Sequence, residues 1–399
     1  MAQSAVTPAN SHLLGNYSRA PITLVRGEGV WLYDDAGKKY LDFIAGIAVC
    51  ALGHAHPEIT KAIAEQAATL VHASNLYSSE PSGRLAHELA RISGFDRLFF
   101  CNSGTEANEA AIKFARKRAF RMGESERTKI VACTGSFHGR TYGALAATDN
   151  PKYQEGFGAM PAGFVFTPFN DPDTLEFQID KNTAAFIVEP VQGESGIHPA
   201  SVAFLQRARD LSDQHGALLI FDEIQCGLGR LGADFAFQHF GVRPDLFTLA
   251  KSLANGLPIG ALFIDAPLAE VLQPGDHGTT FGGSCIPSAA ALAHLRLREE
   301  LHLNAHVKTV GAALRAGLDR IANAHPERFE PARGIGLMQG LPVKAPHEAK
   351  TFVAAARERG LLVNAAGNNT IRILPPLILT KEEAEQGLRI LEEAIASVH

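Results

Sequence analysis

The sequence predicts an α/β protein with a large, mostly parallel central sheet and a smaller α+β domain, and three observations predict it. From about residue 96, short unbroken apolar runs recur: Leu98–Cys101, Lys129–Ala132, Ala185–Val188, Leu218–Phe221 and Leu246–Leu249. Such runs suit strands covered on both faces. Helix-like stretches over 105–122, 139–147 and 200–215 separate several of them, and strands alternating with helices argue for parallel pairing. After about residue 285 the pattern turns helical, over 286–324, 346–359 and 380–397.

The remaining elements follow from local signals. Residues 27–43 alternate apolar and polar around Asp34-Asp35-Ala36-Gly37, a hairpin-like turn between short strands. Residues 57–71 have helical spacing, with Pro57 near the start. Thr380 and Glu383 form a capping-box pair at the head of the last helix. The expected organisation is an N-terminal segment over 1–60 that joins the small domain, a large domain over 61–285, and the C-terminal α+β domain over 286–399.

Bulk properties narrow the function. The 399 residues are 46% hydrophobic and 20% charged, with a formal net charge of −5. That balance supplies no basic stripe for nucleic acid, and no apolar run reaches the length of a membrane span. The start of the chain, Met1 to Tyr17, is polar and lacks an apolar signal core, so a cytoplasmic enzyme is expected. Five widely spaced cysteines form no C-x-x-C pair, which fits reduced thiols better than a disulfide frame or a zinc cage. His54 and His56, two apart, lack matching carboxylate or thiolate partners, so no metal is expected.

In open parallel sheets, ligands bind beyond the carboxyl ends of the strands, and polar residues collect there. Asn102-Ser103-Gly104-Thr105 opens a helix after the first run, a place where free amides and the helix dipole bind phosphate. In Ser136-Phe137-His138-Gly139-Arg140 an aromatic ring can stack on a flat heterocycle, and Arg140 can grip a carboxylate. Glu189 and Glu194 follow the third run, and a buried acid needs a partner. Asp222 ends an apolar strand, where a protonated heterocyclic nitrogen would make its charge tolerable. Lys251 follows the next run, and partial desolvation there favours the free amine that attacks an aldehyde. The loop His277–Gly283 offers Thr279 and Thr280 among glycines as further phosphate donors. Each segment alone has a plainer reading as a cap, a turn or a solvated charge. Gly227-Leu228-Gly229-Arg230-Leu231-Gly232 matches a dinucleotide fingerprint, but Asp222 to Gln225 separate it from its strand and no acid stands at the usual offset.

The order of the segments carries more than any one of them. Ser-Gly-Thr-Glu-Ala-Asn, Ser-Phe-His-Gly-Arg, Glu-Pro-Val-Gln-Gly-Glu, Asp-Glu-Ile-Gln-Cys-Gly-Leu-Gly-Arg, Leu-Ala-Lys-Ser-Leu and Gly-Thr-Thr-Phe-Gly-Gly together resemble the class III, ornithine-type aminotransferases. The resemblance runs from about Tyr17 to the last helix. It implies the fold type I of pyridoxal-phosphate-dependent transferases and a set of roles. Lys251 would carry the cofactor as an imine and later move the proton. Asp222 would keep the pyridine nitrogen protonated, Gln225 would bond the ring oxygen and Phe137 would stack on the ring. Ser103, Gly104 and Thr105 would hold the phosphate, with Glu223 and Ile224 lining the cofactor. Thr280 would reach the phosphate of a neighbouring subunit, which implies a homodimer.

The resemblance also implies a substrate side made of Tyr17, Ile47, Arg140, Glu194, Thr279 and Arg372. Arg140 would bind the α-carboxylate of an ω-amino donor. Arg372 would bind that of glutamate or 2-oxoglutarate, masked by Glu194 in the other half-reaction. Asp42–Val49 and Ala51–His54 are similar to the subgroup acting on N2-acetyl-ornithine, and an apolar Ile47 fits an acylated, uncharged α-nitrogen. N-succinyl-ornithine, N-succinyl-diaminopimelate, ornithine and 4-aminobutyrate stay open as donors. A mutase or racemase on the same scaffold, or a dinucleotide-dependent enzyme, are the competing classes. Cys226, Leu231 and Ser284-Cys285 depart from the usual pattern without removing a named group.

Overall fold

The computed structural model describes residues 12–398. Residues 1–11, the start of the expected 1–60 segment, and residue 399 lie outside the described residues. Seven strands make the central sheet: β1 (Arg97–Cys101), β2 (Lys129–Cys133), β3 (Phe164–Thr167), β4 (Thr183–Val188), β5 (Leu218–Asp222), β6 (Leu246–Leu249) and β7 (Gly260–Ile264). Their order is β1-β7-β6-β5-β4-β2-β3. Pairs from β6 through β3 are parallel, and β7 alone runs antiparallel, to both β6 and β1. The carboxyl ends of the six co-directional strands therefore share one edge. Strands β4, β5 and β6 are buried along their whole length, which explains their unbroken apolar sequences: neither face meets water.

Strands β3 and β7 escape the sequence pattern for physical reasons. β3 is an edge strand whose first three residues are only partly buried. β7 opens on Gly260, a residue that weakens a strand signal. Glycine is needed there because a Cβ would lie 2.4 Å from the Ser103 carbonyl oxygen. That close approach fixes the loop after β1 against the sheet.

The helices largely follow their expected spans. α1 (Gly104–Arg121) is capped by Ser103, whose side chain accepts from the Glu106 amide, and α2 (Val202–His215) is capped in the same way by Ser201. The 139–147 stretch shortens to a helix over Tyr142–Ala146. The single pattern over 286–324 is two helices, Cys285–Glu300 and Leu303–Ala324, broken where His302 turns left-handed at φ 49°. Helical spacing continues across the break, so periodicity alone could not reveal it. The Thr380–Glu383 capping box forms with both bonds present.

Two smaller sheets flank this body. Leu24–Glu28, Trp31–Asp34 and Lys39–Asp42 form an antiparallel meander, and Leu361–Leu362 adds to it in parallel beside Leu41–Asp42. Asp34 stabilises the turn of the meander by accepting from the Ala36 and Lys38 amides. Arg333–Ile335, Met338–Pro342, Thr370–Ile373 and Asn364–Ala366 form the second sheet, wholly antiparallel. Behind the site edge, Phe95, Phe235, Phe237, Phe247 and Phe263 form an aromatic cluster, with Phe247 stacked on Phe263 at 4.0 Å.

Candidate active site

The site is built at the carboxyl edge of the sheet, and its centre is Asp222, the last residue of β5, which is 4% exposed. Its Oδ2 accepts from Asn108 Nδ2 at 2.7 Å and lies 2.8 Å from His138 Nδ1. A carboxylate acceptor makes Nδ1 the protonated nitrogen of that ring. Among the described residues its Oδ1 accepts only the Ile224 amide, at 3.1 Å. Asn108 is fixed in turn: it donates to the His138 carbonyl at 2.7 Å and accepts from the Thr248 hydroxyl at 2.9 Å. The donors are thus concentrated on one oxygen, and the other has capacity left for a cationic partner.

Lys251 lies two residues beyond β6, the neighbouring strand. Burial pulls its pKa below the ordinary lysine value; Arg372 acts in the same direction, while Glu194, Asp222 and Glu189 oppose it. A lowered pKa favours the free amine, which is the nucleophilic form. Glu189 sits behind this pair, accepting from the Phe137 amide at 2.9 Å and the Gly193 amide at 3.2 Å. Burial lifts its pKa to about 7, with Asp222 adding to the rise and His138 opposing it.

An anion cup opens at the head of α1, where the unpaired amides of an 18-residue helix gather. The Thr105 hydroxyl pairs with that of Thr141 at 2.7 Å. Asn102 donates to Glu106 and to Thr279 Oγ1, at 2.8 and 3.1 Å, which ties the cup to the 277–283 loop. A surface cavity of about 320 Å³ opens there between Asn102, Glu106, Thr279 and Thr280. Gly104 has no room for a side chain, since a Cβ would stand 2.7 Å from Ile224 Cδ1. Gly104→Ala is expected to push Ile224 out of place, cost about 1–3 kcal/mol of stability and weaken pyridoxal phosphate binding roughly tenfold. Thermal melting and a fluorescence titration of the cofactor would check both effects.

The rim carries the charged residues. Arg372, almost fully buried on the Thr370–Ile373 strand, donates from Nη1 to Glu194 Oε1 at 2.5 Å and from Nε to Asn364 Oδ1 at 3.2 Å. Burial would raise the Glu194 pKa, but Arg372 brings it below the usual carboxylate range. Gln225 donates to the same Glu194 oxygen at 3.4 Å. Arg140 is exposed, its guanidinium 3.6 Å from the centre of the Tyr153 ring and 5.7 Å from that of Phe137. Thr280 is exposed on its loop. Two expected residues make contacts of another kind. Tyr17 lies on the exposed N-terminal stretch under the Arg19 guanidinium. The Glu223 carboxylate turns into the core, where it accepts from the Ala236 and Phe237 amides and burial lifts its pKa to about 8, leaving only its backbone near the site. Asn108, His138, Thr248 and Tyr153 join the site without having been singled out from the sequence, and Glu189, expected as an acid in need of a partner, finds the Phe137 and Gly193 amides. Thr248 was the readable clue, a lone hydroxyl inside the run Leu246–Leu249 and paired in register with Asp222.

The Gly227–Gly232 loop serves packing. Arg230 is buried and donates from Nη1 to the Leu337 and Pro375 carbonyls, fastening this loop to the C-terminal sheet. A cavity of about 1130 Å³ between the helices Pro57–Thr69, Glu80–Ser93 and Cys285–Glu300 contains none of the residues named for the site.

The residues present fit a phosphorylated pyridine aldehyde. An anion cup, an aromatic ring, an acid with a free lone pair and a buried amine lie along one edge, and Gln225 Oε1 is buried without a partner among the described residues. Fold and site together define a pyridoxal-phosphate-dependent transferase. The comparison with known proteins narrows this further. The family described as aminotransferase class-III matches residues 15–395, and the chain belongs to it. It is 46% identical over 382 residues to the acetylornithine aminotransferase of Methanocaldococcus jannaschii, covering 96% of this chain and 95% of that one. It is also 46% identical to that of Gloeobacter violaceus, over 96% of each. Among solved structures, the ornithine aminotransferase of Toxoplasma gondii superposes with a TM-score of 0.94 at 32% identity, covering 98% of this chain and 94% of that one. The N-acetylornithine aminotransferase of Stenotrophomonas maltophilia does so with 0.84 at 39% identity, covering 96% and 97%.

Proposed function

We propose that the protein transfers the δ-amino group of N2-acetyl-L-ornithine to 2-oxoglutarate, reversibly, giving N-acetyl-glutamate 5-semialdehyde and glutamate in arginine biosynthesis. Pyridoxal phosphate supplies an aldehyde that binds amines covalently and a ring that takes up electrons. The chain's own residues do the rest. The amine of Lys251 would hold the cofactor and, when free, would carry a proton between the two ends of the reacting C–N unit. Asp222 would hold a proton on the ring nitrogen, and His138 and Asn108 aim that carboxylate by bonding its Oδ2. Ser103, Gly104 and Thr105 would bind the phosphate, Phe137 would pack on the ring, Gln225 would orient the ring oxygen, and Ile224 would close one side.

The observation that carries the substrate assignment is the Glu194–Arg372 pair. With the pair closed, Arg372 is neutralised and Arg140 remains as the exposed cation for the carboxylate of a long ω-amino donor. With it open, Arg372 takes the α-carboxylate of glutamate. Ile47, exposed on its turn, would offer no partner to a charged α-ammonium, which favours an acylated donor. Initial rates with N2-acetyl-ornithine, N-succinyl-ornithine and free ornithine test this; a preference for free ornithine would overturn it. Glu194→Ala is expected to lower KM for glutamate about tenfold, since the competing ion pair no longer has to be broken. It should raise KM for the acylated donor by a similar factor, and steady-state kinetics of both half-reactions would show the split.

The active unit in this reading is a cytoplasmic homodimer. Leu70, Val71, Leu76, Tyr77 and Phe281 are all exposed, and Asn75 ties their segments together by donating to the Thr279 and Gly282 carbonyls. Such an apolar patch beside the anion cup suits a second copy that receives Thr280. No helix among the described residues is long and apolar enough to cross a membrane.

A further inference from the structure

The segment from Asp42 to Gly53 contains the most unusual backbone near the site. Ala45, Gly46, Ile47 and Ala48 hold positive φ in succession, at 49°, 65°, 65° and 62°. Three of these carry a Cβ, which crowds the following carbonyl in the left-handed region. Such a turn persists only where its surroundings over-determine it.

A single carboxylate provides most of that constraint. Asp42 is 1% exposed. Its Oδ1 accepts the Ile44 and Ala45 amides at 2.8 and 2.9 Å, and its Oδ2 meets His54 Nε2 at 2.7 Å. His54 is itself fixed by paired backbone bonds with Gly29, at 2.7 and 3.0 Å. One side chain thus ties the entry of the turn to the residue just beyond its exit. Burial alone would lower the His54 pKa, but the hydrogen bonds to Asp42 and to the Cys50 thiol lift it to about 9, so the tie is charge-assisted at neutral pH.

The turn is also joined to both halves of the site. The Phe43 carbonyl accepts from the Leu374 amide at 2.7 Å, two residues beyond Arg372. Asn255, four residues beyond Lys251, accepts from the Leu52 amide at 2.7 Å and donates to the Gly53 carbonyl at 3.1 Å. Ala45, Ala48, Ala51 and Leu52 are buried, while Ile47 at the apex is 36% exposed.

We propose that Asp42 and His54 are positioning residues for donor selection, holding the left-handed turn so that Ile47 presents an apolar face to the donor's α-nitrogen. This rests on the reading of Ile47 given under the proposed function. A turn that relaxed would withdraw Ile47 and expose backbone amides and carbonyls, which would suit a charged α-ammonium better than an amide.

Two variants, Asp42→Ala and His54→Ala, test this in the cofactor-loaded protein, with Asp42→Asn as the conservative control. Hydrogen–deuterium exchange of peptides spanning 44–50 reads the turn directly. Exchange there should accelerate at least tenfold in Asp42→Ala, less in His54→Ala, and least in Asp42→Asn, which keeps an oxygen for the two amides. KM for N2-acetyl-ornithine should rise at least fivefold, while kcat of the glutamate half-reaction stays within twofold and Asp42→Asn recovers most of the loss. Unchanged exchange in His54→Ala, which keeps Asp42 and its amide bonds should Asp42→Ala fail to fold, would overturn the clamp. Faster exchange with an unchanged ratio of acylated to free donor would overturn its part in selection. A wild type inactive on every acylated donor would refute the functional reading instead, and the exchange rates would still decide whether the clamp exists.

Discussion

Lys251→Ala is expected to lower turnover by roughly 10²–10⁴-fold or more, the range spanned by a positioned proton-transfer group, and to leave a protein without the yellow imine absorption of the wild type. The expectation follows from placement. The strand β6 delivers this amine to the same edge as Asp222, and burial lowers its pKa, which raises the share of free amine able to react. Alanine removes both the covalent attachment and the only lysine at that strand end, whereas Glu194, Arg372 and Asp222 keep their own hydrogen-bond partners. The variant should therefore fold and bind the cofactor weakly without turning over. The checks are the visible spectrum, a single-turnover assay, and borohydride reduction of the wild type followed by peptide mass analysis. A pyridoxyl adduct on another lysine, or turnover within tenfold of wild type, would refute the assignment.

Loss of the amine also has a predictable pH signature in the cofactor-free protein. A lysine whose pKa is lowered by folding binds fewer protons in the native state than in the unfolded one. Wild-type stability should therefore rise with pH as the solution approaches the ordinary lysine pKa. In Lys251→Ala that rise should flatten, which urea unfolding at several pH values would measure.

Much of the site was legible because buried strands have so few ways to carry polar residues. Cys101, Val188, Asp222 and Leu249 end apolar stretches, and a charge or a phosphate-binding turn immediately after such a stretch must face the ligand edge. Lys251, Asp222 and the Ser103–Thr105 cup were singled out in this way, whereas Gln225 entered only through the family resemblance. What stayed hidden depends on tertiary contact. Asn108 reads as an ordinary helical polar residue until Thr248 and Asp222 are brought to its two ends. His138 reads as part of a turn until its ring meets a carboxylate far away in the chain. The left-handed turn at 45–48 carries no sequence mark beyond one glycine, because its cause is the distant His54–Asp42 bond. Strand β7 was hidden by the glycine that lets the Ser103 carbonyl approach. Local signals thus report burial and caps well, and they report the networks that orient the catalytic groups poorly.

Asp222→Asn is expected to have the second largest effect, and the network around it determines how. Asn108 and His138 both aim donors at Oδ2, so an asparagine must place its carbonyl oxygen there. Its amide nitrogen then occupies the Oδ1 position, facing the Ile224 amide and the site of the ring nitrogen. Two donors would meet there, and a protonated ring nitrogen would add a third. Breaking a buried charge pair by removing one partner costs about 3–5 kcal/mol, which corresponds to roughly 10²–10⁴-fold in rate. Folding should suffer less, by about 1–3 kcal/mol for the unpaired Ile224 amide. The loss should appear in kcat of both half-reactions alike, because the ring nitrogen serves both, with KM for either substrate changed little. A cofactor analogue methylated on the ring nitrogen, charged at every pH, should recover part of the rate in Asp222→Asn and none in Lys251→Ala. Equal recovery in both variants, or a defect confined to one substrate, would show that this carboxylate acts on the substrate pocket rather than on the ring.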